Sequence, residues 1–403
     1  MLRFPIFNGD WEEKSFGDIA SIRSASRVHK DEWTEKGVPF FRSSDVVSHY
    51  KGTDNKKAYI SRELFDELSA KSGKIKRHDL LVTGGGSIGI PYLVPNDAPL
   101  YFKDADLLWF KKSVIIDSYF LYTYLSTTIF RRYLTSVTHI GTIAHYTIEQ
   151  AKATPVILPS LPEQRKIADF LTTVSARIQQ LIQKKALLEV YKKGVMQQLF
   201  TQAIRFQDDH GNDFPDWEEK KLGEVCSILK GKGISKAEVV ESGATPCIRY
   251  GELYTEYSEL IQEAKSRTDT PTNELVLSAG NDVIIPASGE THIDIATASC
   301  VMNEGIALGG DLNIIRTELN GIFLAYYLNN ACKHAIARVA QGSSVIHLYP
   351  DQLKGLALAF PSQSEQTKIA DFLSAIDRKI EKVATQISET QTFKKGLLQQ
   401  MFV

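Results

Sequence analysis

The chain repeats itself, and the repeat limits what it can fold into more than any other feature. Glu163-Gln-Arg-Lys-Ile-Ala-Asp-Phe-Leu171 recurs as Glu365-Gln-Thr-Lys-Ile-Ala-Asp-Phe-Leu373, an offset of 202. The match runs on to Lys193-Gly194 and Gln197-Gln-Leu-Phe200, answered by Lys395-Gly396 and Gln399-Gln-Met-Phe402, with 15 identities in 38 positions. Weaker echoes keep the order. Trp11-Glu-Glu-Lys14 answers Trp217-Glu-Glu-Lys220, Pro39-Phe-Phe-Arg42 answers Pro246-Cys-Ile-Arg249, and Phe120 to Leu125 answers Phe323 to Leu328. Two copies of such a long unit mean a duplicated domain rather than a solenoid.

Each copy has two parts. The first mixes short β-rich runs, such as Leu80-Leu-Val82 and Val283-Ile-Ile285, with Gly/Pro/Asn punctuation. One helical stretch per copy is expected near 117–136 and 320–339. The second part reads as a single long helix. Ile167, Val174, Leu181, Leu188 and Val195 recur at seven-residue spacing, with Leu171, Ile178, Lys185, Lys192 and Leu199 as companions. The second copy has Ile369, Ile376, Val383, Thr390 and Leu397 with Leu373, Ile380, Ile387, Lys394 and Met401. Such heptad seams bury themselves most simply against each other. The predicted class is α+β: mixed domains at 1–160 and 207–360, separated by antiparallel coiled-coil helices at 161–206 and 361–403. A 38-residue helix is about 57 Å long, or roughly 17 base pairs of DNA.

Charge is unevenly spread. It is +3 over 1–160, +5 over 161–206, −10 over 207–360 and +1 over 361–403. A uniformly basic nucleic-acid binder is excluded, so any DNA contact must be local or assisted by a partner. Cys226, Cys247, Cys300 and Cys332 form no Cys-x-x-Cys, so neither a zinc site nor a disulfide framework is expected. With no apolar leader and no spanning run, the expected location is cytoplasmic, with no membrane partner.

Catalytic motifs are not found. Gly84-Gly-Gly-Ser-Ile-Gly89 fits a dinucleotide loop, but Pro91 follows where a helix must open. A loop approaching DNA phosphates fits better. Glu12-x-Lys14 and Glu218-x-Lys220 read as solvated charge beside a packed tryptophan. The histidines lack metal-ligand spacing, and no metal site is expected.

The ordered double set of motifs resembles the specificity subunits of type I restriction–modification systems. It comprises Pro159-x-x-Pro162-Glu-Gln-x-Lys-Ile-Ala-Asp-Phe-Leu171, its copy from Pro361, and the openings Asp10-Trp-Glu-Glu-Lys14 and Phe214-Pro-Asp-Trp-Glu-Glu-Lys220. The resemblance implies two target-recognition domains, each reading half of a bipartite double-stranded DNA site. It implies helices that set the spacer and dock two methyltransferase subunits, with restriction/translocase subunits in the full complex. S-adenosylmethionine would bind those methyltransferase partners; this chain would hold no cofactor and no catalytic residue. A coiled-coil scaffold without base-specific binding is the alternative.

Candidate DNA contacts lie in loops shared by both copies. One pair is Gly141 to His145, with Thr142 and His145, against Gly342 to His347, with Ser343 and His347. A second is Arg42, Ser43 and Ser44 against Arg249 and Tyr250; Arg is the commonest reader of guanine, and pairing with Asp45 or Glu252 is the rival role. Gly85, Ser87 and Ser288 form the third. Candidate partner contacts on the helices are Phe170, Lys184, Lys185, Lys192, Phe372 and Lys394.

Overall fold

The computed structural model describes residues 2–137 and 145–402. It divides into two compact units, residues 1–182 with 385–403, and residues 183–384. Each unit therefore holds one mixed domain, the start of one long helix and the end of the other.

In unit 1, β1 (Glu12–Ser15) precedes β2 (Ile22–Arg23), α1 (Ser43–Lys51), β3 (Leu80–Thr83), β4 (Pro91–Leu93) and β5 (Leu107–Phe110). A four-stranded sheet has the order β2-β5-β3-β4, all antiparallel. β3 and β5 are apolar runs buried along their whole length, as central strands covered on both faces must be. A second sheet pairs Val38–Phe41 in parallel with Tyr101–Phe102 and antiparallel with Ala58–Ile60. Helices α2 (Ser118–Tyr124) and α3 (Thr128–Val137) follow, then β6 (Pro155–Leu158), which pairs back on β1, and α4 (Leu161–Phe200).

Unit 2 repeats this plan with β7 (Glu218–Lys221), β8 (Cys226–Lys230), β9 (Asp282–Pro286), β10 (Ser299–Val301) and β11 (Leu312–Thr317). Next come α5 (Gly321–Asn329), α6 (Lys333–Val339), β12 (Ala357–Phe360) and α7 (Gln363–Met401). The sheet order β8-β11-β9-β10 matches that of unit 1, with Leu260–Ile261 added at its edge. β7 pairs on β12 as β1 does on β6. The parallel pair also recurs, as Thr245–Ile248 with Glu304–Leu308.

The single helix expected in each domain is two. After α2, the Thr127 hydroxyl donates to the Tyr124 carbonyl at 2.7 Å and accepts from the Phe130 amide at 3.3 Å, closing one helix and capping the next. After α5, Asn330 leaves helical geometry at φ −109°, ψ −82°.

The long helices span 40 and 39 residues, and none of the heptad-seam residues is exposed. They run antiparallel, because the end of each shares a core with the start of the other. In unit 1, Leu397, Met401 and Phe402 join Ile167, Ala168 and Leu171 in the main core. In unit 2, Val195, Met196, Leu199 and Phe200 join Ile369, Ala370 and Leu373.

The Glu-Gln pair that opens each helix is a clamp. The glutamates are 1% exposed and the glutamines 2%. Arg3 meets Glu163 at 2.8 Å, and Arg205 meets Glu365 at 2.8 Å. Hydrogen bonding to the glutamate raises the pKa of each arginine above its usual value. Gln164 accepts from the Asp117 amide at 2.9 Å and donates to the Pro159 carbonyl at 2.9 Å. Gln366 does the same with Asn320 at 3.0 Å and Pro361 at 2.9 Å. The residues repeated most strictly thus join the long helix to the start of the α2–α3 or α5–α6 pair. Replacing Gln366 with Ala strands two backbone groups and is expected to cost unit 2 about 1–3 kcal/mol, measured by denaturant unfolding of the full chain; no loss would deny the clamp its role.

Candidate nucleic-acid interface

The shared loops sit at the end of the central strand of each sheet. In unit 1, β3 runs into Gly84–Gly89 and returns as β4. Thr83 organises the loop: its hydroxyl donates to the Ser87 carbonyl and accepts from the Ile90 amide at 2.8 Å. Gly89 has φ +73°, and a Cβ there would lie 2.1 Å from Leu134 Cδ1. The loop therefore needs glycine for a tight return against α3, not for a phosphate cradle at a helix start. Gly85 forms an antiparallel bridge with His145. Ser87 and His145 are both exposed.

Unit 2 builds the same junction from different residues. Ser288 pairs with His347 and Gly289 with Ile346. The supporting bonds correspond. The Gly84 amide donates to the Asp106 carbonyl at 2.8 Å, and the Ala287 amide to that of Asp311 at 2.6 Å. The Tyr146 amide donates to the Gly84 carbonyl at 2.8 Å, and the Leu348 amide to that of Ala287 at 3.0 Å.

The Arg42 and Arg249 loops join these junctions. The Ser43 hydroxyl donates at 2.9 Å to the Asp106 carbonyl that also receives the Gly84 amide. Ser44 is exposed and accepts from Asn55 at 3.1 Å. In unit 2, Tyr250, Tyr254, Ser288, Gly289, Ser344 and Val345 line a cleft of about 620 Å³. The Tyr254 hydroxyl donates to the Ser288 carbonyl at 3.0 Å. Ser343 is exposed beside it. Thr142 lies outside the described residues, as does the rest of 138–144.

Several expectations need correction. Arg42 is not a free reader. Its guanidinium meets Asp45 at 2.8 Å, donates to the Lys56 carbonyl at 2.5 Å and lies over the Trp33 ring. Arg249 meets Glu252 at 3.3 Å, and Glu252 also accepts from Ser266 at 2.6 Å. Both arginines begin a helix whose third residue is the acid, and that acid caps the arginine's own amide. The local geometry explains the pairing. Phe170 and Phe372 are not open faces either, since each packs edge-on against a phenylalanine of its own unit, Phe4 and Phe206. Lys192 is enclosed, meeting Glu259 at 3.1 Å and Asp377 at 2.9 Å. Lys394 is half-buried, Lys185 is tied to Glu189 at 2.6 Å, and Lys184 is exposed.

The exposed aromatic at the unit 2 junction had no single-residue signal in the sequence. Tyr349 is 46% exposed, stacks on His347 with ring centroids 6.1 Å apart, and lies beneath Lys230. Glu290 and Asp294 line the neighbouring cleft, and among the described residues no Lys or Arg does. The acidity of this domain thus reaches its candidate reading surface. Glu12–Lys14 at 3.0 Å and Glu218–Lys220 at 2.7 Å are exposed pairs on β1 and β7, as expected. Among the described residues no group of side chains has the makings of a metal site.

A family model described as the type I restriction modification DNA specificity domain matches residues 8–190 and 215–390. The chain belongs to that family. Its two matched stretches coincide with the two halves of the repeat. The MjaVIII specificity subunit of Methanocaldococcus jannaschii, a type I restriction enzyme subunit, is 25% identical over 96% of this chain and 91% of its own length. A putative type I specificity subunit of Haemophilus influenzae, S.HindORF215P, is 27% identical over 38% of each chain. Among solved structures, the type I S subunit from M. genitalium superposes with a TM-score of 0.60 at 15% identity, covering 100% of this chain and 98% of that one. The HsdS subunit from Thermoanaerobacter tengcongensis gives 0.52 at 16% identity, covering 98% and 97%. These likenesses show the fold with its paired helices. No helix among the described residues is long and apolar enough to cross a membrane.

Gly89 and Gly86 separate sterics from backbone strain. Both have positive φ, but only Gly89 faces a clash; Gly86 has nothing within 4 Å. Gly86→Ala is expected to cost about 1–2 kcal/mol. Gly89→Ala is expected to cost about 2–4 kcal/mol, as overpacking adds to strain. Equal losses in melting experiments would contradict the packing of α3 on this loop.

Proposed function

We propose that each unit reads one half of a bipartite, asymmetric double-stranded DNA sequence, and that the two long helices set the spacer between the halves. The observation that carries this reading is the junction built twice, Gly85 with His145 and Ser288 with His347, on corresponding backbone bonds but with different side chains around it. A repeated framework with divergent loops is what two readers of different half-sites require.

The readout is local. Exposed Ser87, His145, Ser343, His347 and Tyr349 are placed to meet base edges or phosphates, as are Tyr250 and Ser288 along the cleft. Glu290 and Asp294 suit acceptance from a cytosine amino group better than phosphate contact. With Arg42 and Arg249 held by internal acids, they act as supports for the loops. The −10 charge of residues 207–360 leaves unit 2 little non-specific attraction for DNA. Binding energy there must come from a partner.

Those partners are two methyltransferase subunits docked along the helices, with Lys184 among the available cations. They would bring S-adenosylmethionine and methylate adenine, and restriction/translocase subunits would join the full assembly. This chain contributes recognition and no catalytic group. A scaffold without base preference has no specific observation in its favour.

The test uses the chain purified with its methyltransferase. His145→Ala and His347→Ala are each titrated against duplexes altered in one half-site at a time. Each variant is expected to lose about 1–3 kcal/mol of discrimination, one at one half-site and the other at the opposite half-site. Equal loss at both half-sites from either variant, with the fold intact, would overturn the assignment.

A further inference from the structure

The repeat exposes a difference between the units that DNA reading does not explain. Lys192 and Lys394 occupy the same position, 202 residues apart, near the ends of α4 and α7. In unit 2, Lys192 is neutralised by its own chain. It meets Asp377 at 2.9 Å and Glu259 at 3.1 Å, and lies 5.0 Å above the ring of Tyr326, whose hydroxyl donates to Asp377. In unit 1, the residue matching Asp377 is Ser175 and the residue matching Tyr326 is Thr123. Both acid and ring are gone, and a pocket of about 280 Å³ remains.

The pocket is lined by donors around one cation. Lys394, Tyr119, Tyr122, Thr123, Ser175 and His49 face it, and among the described residues no Asp or Glu lines it. Ser175 and Thr123 spend their protons on the Leu171 and Tyr119 carbonyls, at 2.7 and 2.8 Å, leaving the two tyrosines, His49 and Lys394 among the donors. Lys394 is half-buried, and it makes no ion pair among the described residues. A half-buried ammonium without a counter-charge is costly. Unit 2 avoids that cost with two carboxylates, while unit 1 has the lysine with Ser175 in the place of Asp377.

We infer that the pocket around Lys394 binds a small free oxyanion, of phosphate or carboxylate type, which takes the place that Asp377 and Glu259 fill beside Lys192. Its volume is that of roughly nine waters at about 30 Å³ each, enough for a tetrahedral oxyanion with part of its hydration. Burial lowers the Lys394 pKa, the direction expected for an ammonium that lacks its counter-charge. Burial also raises the Tyr122 pKa, which keeps that hydroxyl protonated as a donor. The bound ion would link the end of α7 to α2 and to the start of α4, stabilising unit 1.

The test follows thermal unfolding of the full chain in sodium phosphate and in sodium acetate, each against sodium chloride at equal ionic strength. Phosphate or acetate is expected to raise the unit 1 midpoint by roughly 2–5 °C, and the more effective of the two names the group. Ser175→Asp supplies the carboxylate that unit 2 has. It is expected to raise the midpoint without added ion and to abolish the ion's effect. Lys394→Met is expected to abolish the effect as well. No response of the wild-type chain to either anion, or a response that survives in both variants, would overturn the inference.

Discussion

The fold depends on an exchange of helix ends. Leu397, Met401 and Phe402 finish the core of unit 1, and Val195, Met196, Leu199 and Phe200 finish that of unit 2. Neither mixed domain closes its main core with its own residues alone, because its last wall is the end of the helix that starts in the other half. Phe402 packs on Phe120 with ring centroids 5.2 Å apart, and Phe200 on Phe323 at 6.1 Å. Gln164 and Gln366 then fix the start of each helix to the α2–α3 or α5–α6 pair, and the Arg–Glu pairs tie it to the segments around Arg3 and Arg205. A helix held at both ends in this way keeps a fixed length, which is the property the proposed spacer needs.

Duplication leaves the framework constrained and the loops free. The carbonyls of Asp106 and Asp311 accept corresponding amides, so the backbone at the junction is preserved even where Gly84 becomes Ala287 and Gly85 becomes Ser288. Side chains that project from that backbone carry no such burden. Unit 1 offers a short glycine loop bridged to His145. Unit 2 offers a cleft with tyrosines, two acids and a histidine stacked on Tyr349. The same separation explains how Lys192 and Lys394 share a position and differ in surroundings.

Much of this was legible in the sequence, for physical reasons. A heptad seam and a shared motif are periodic signals, and they placed both long helices, seen at Leu161–Phe200 and Gln363–Met401. Matched order along the chain also showed the His145 loop shared with the His347 loop, and Ser87 with Ser288, as separate loops; the bridges of Gly85 to His145 and of Ser288 to His347 are seen only in the fold. What the sequence withheld were pairings set by three-dimensional reach. Arg3 and Arg205 lie 160 residues from the glutamates they hold, in short Arg-Phe segments whose echo is two residues long. Phe4 and Phe206 come from the same segments, and they cover the phenylalanines expected to face partners. Lys192 read as a surface cation, because Glu259 and Asp377 approach it from distant parts of the chain. The break between α2 and α3 was hidden because the apolar pattern of residues 117–136 continues across it.

The central claim is the proposal that two readers of similar build recognise two half-sites and that the long helices set the spacer between them. It is tested most directly by deleting one heptad from each helix, residues 183–189 and 385–391, and mapping modified bases in a genome carrying the altered chain with its methyltransferase. Seven residues are about 10 Å of helix and leave the seam in register to within about 20°. The account predicts the same two half-sites with a spacer shorter by roughly three base pairs. An unchanged spacer, with both half-sites still modified, would contradict it.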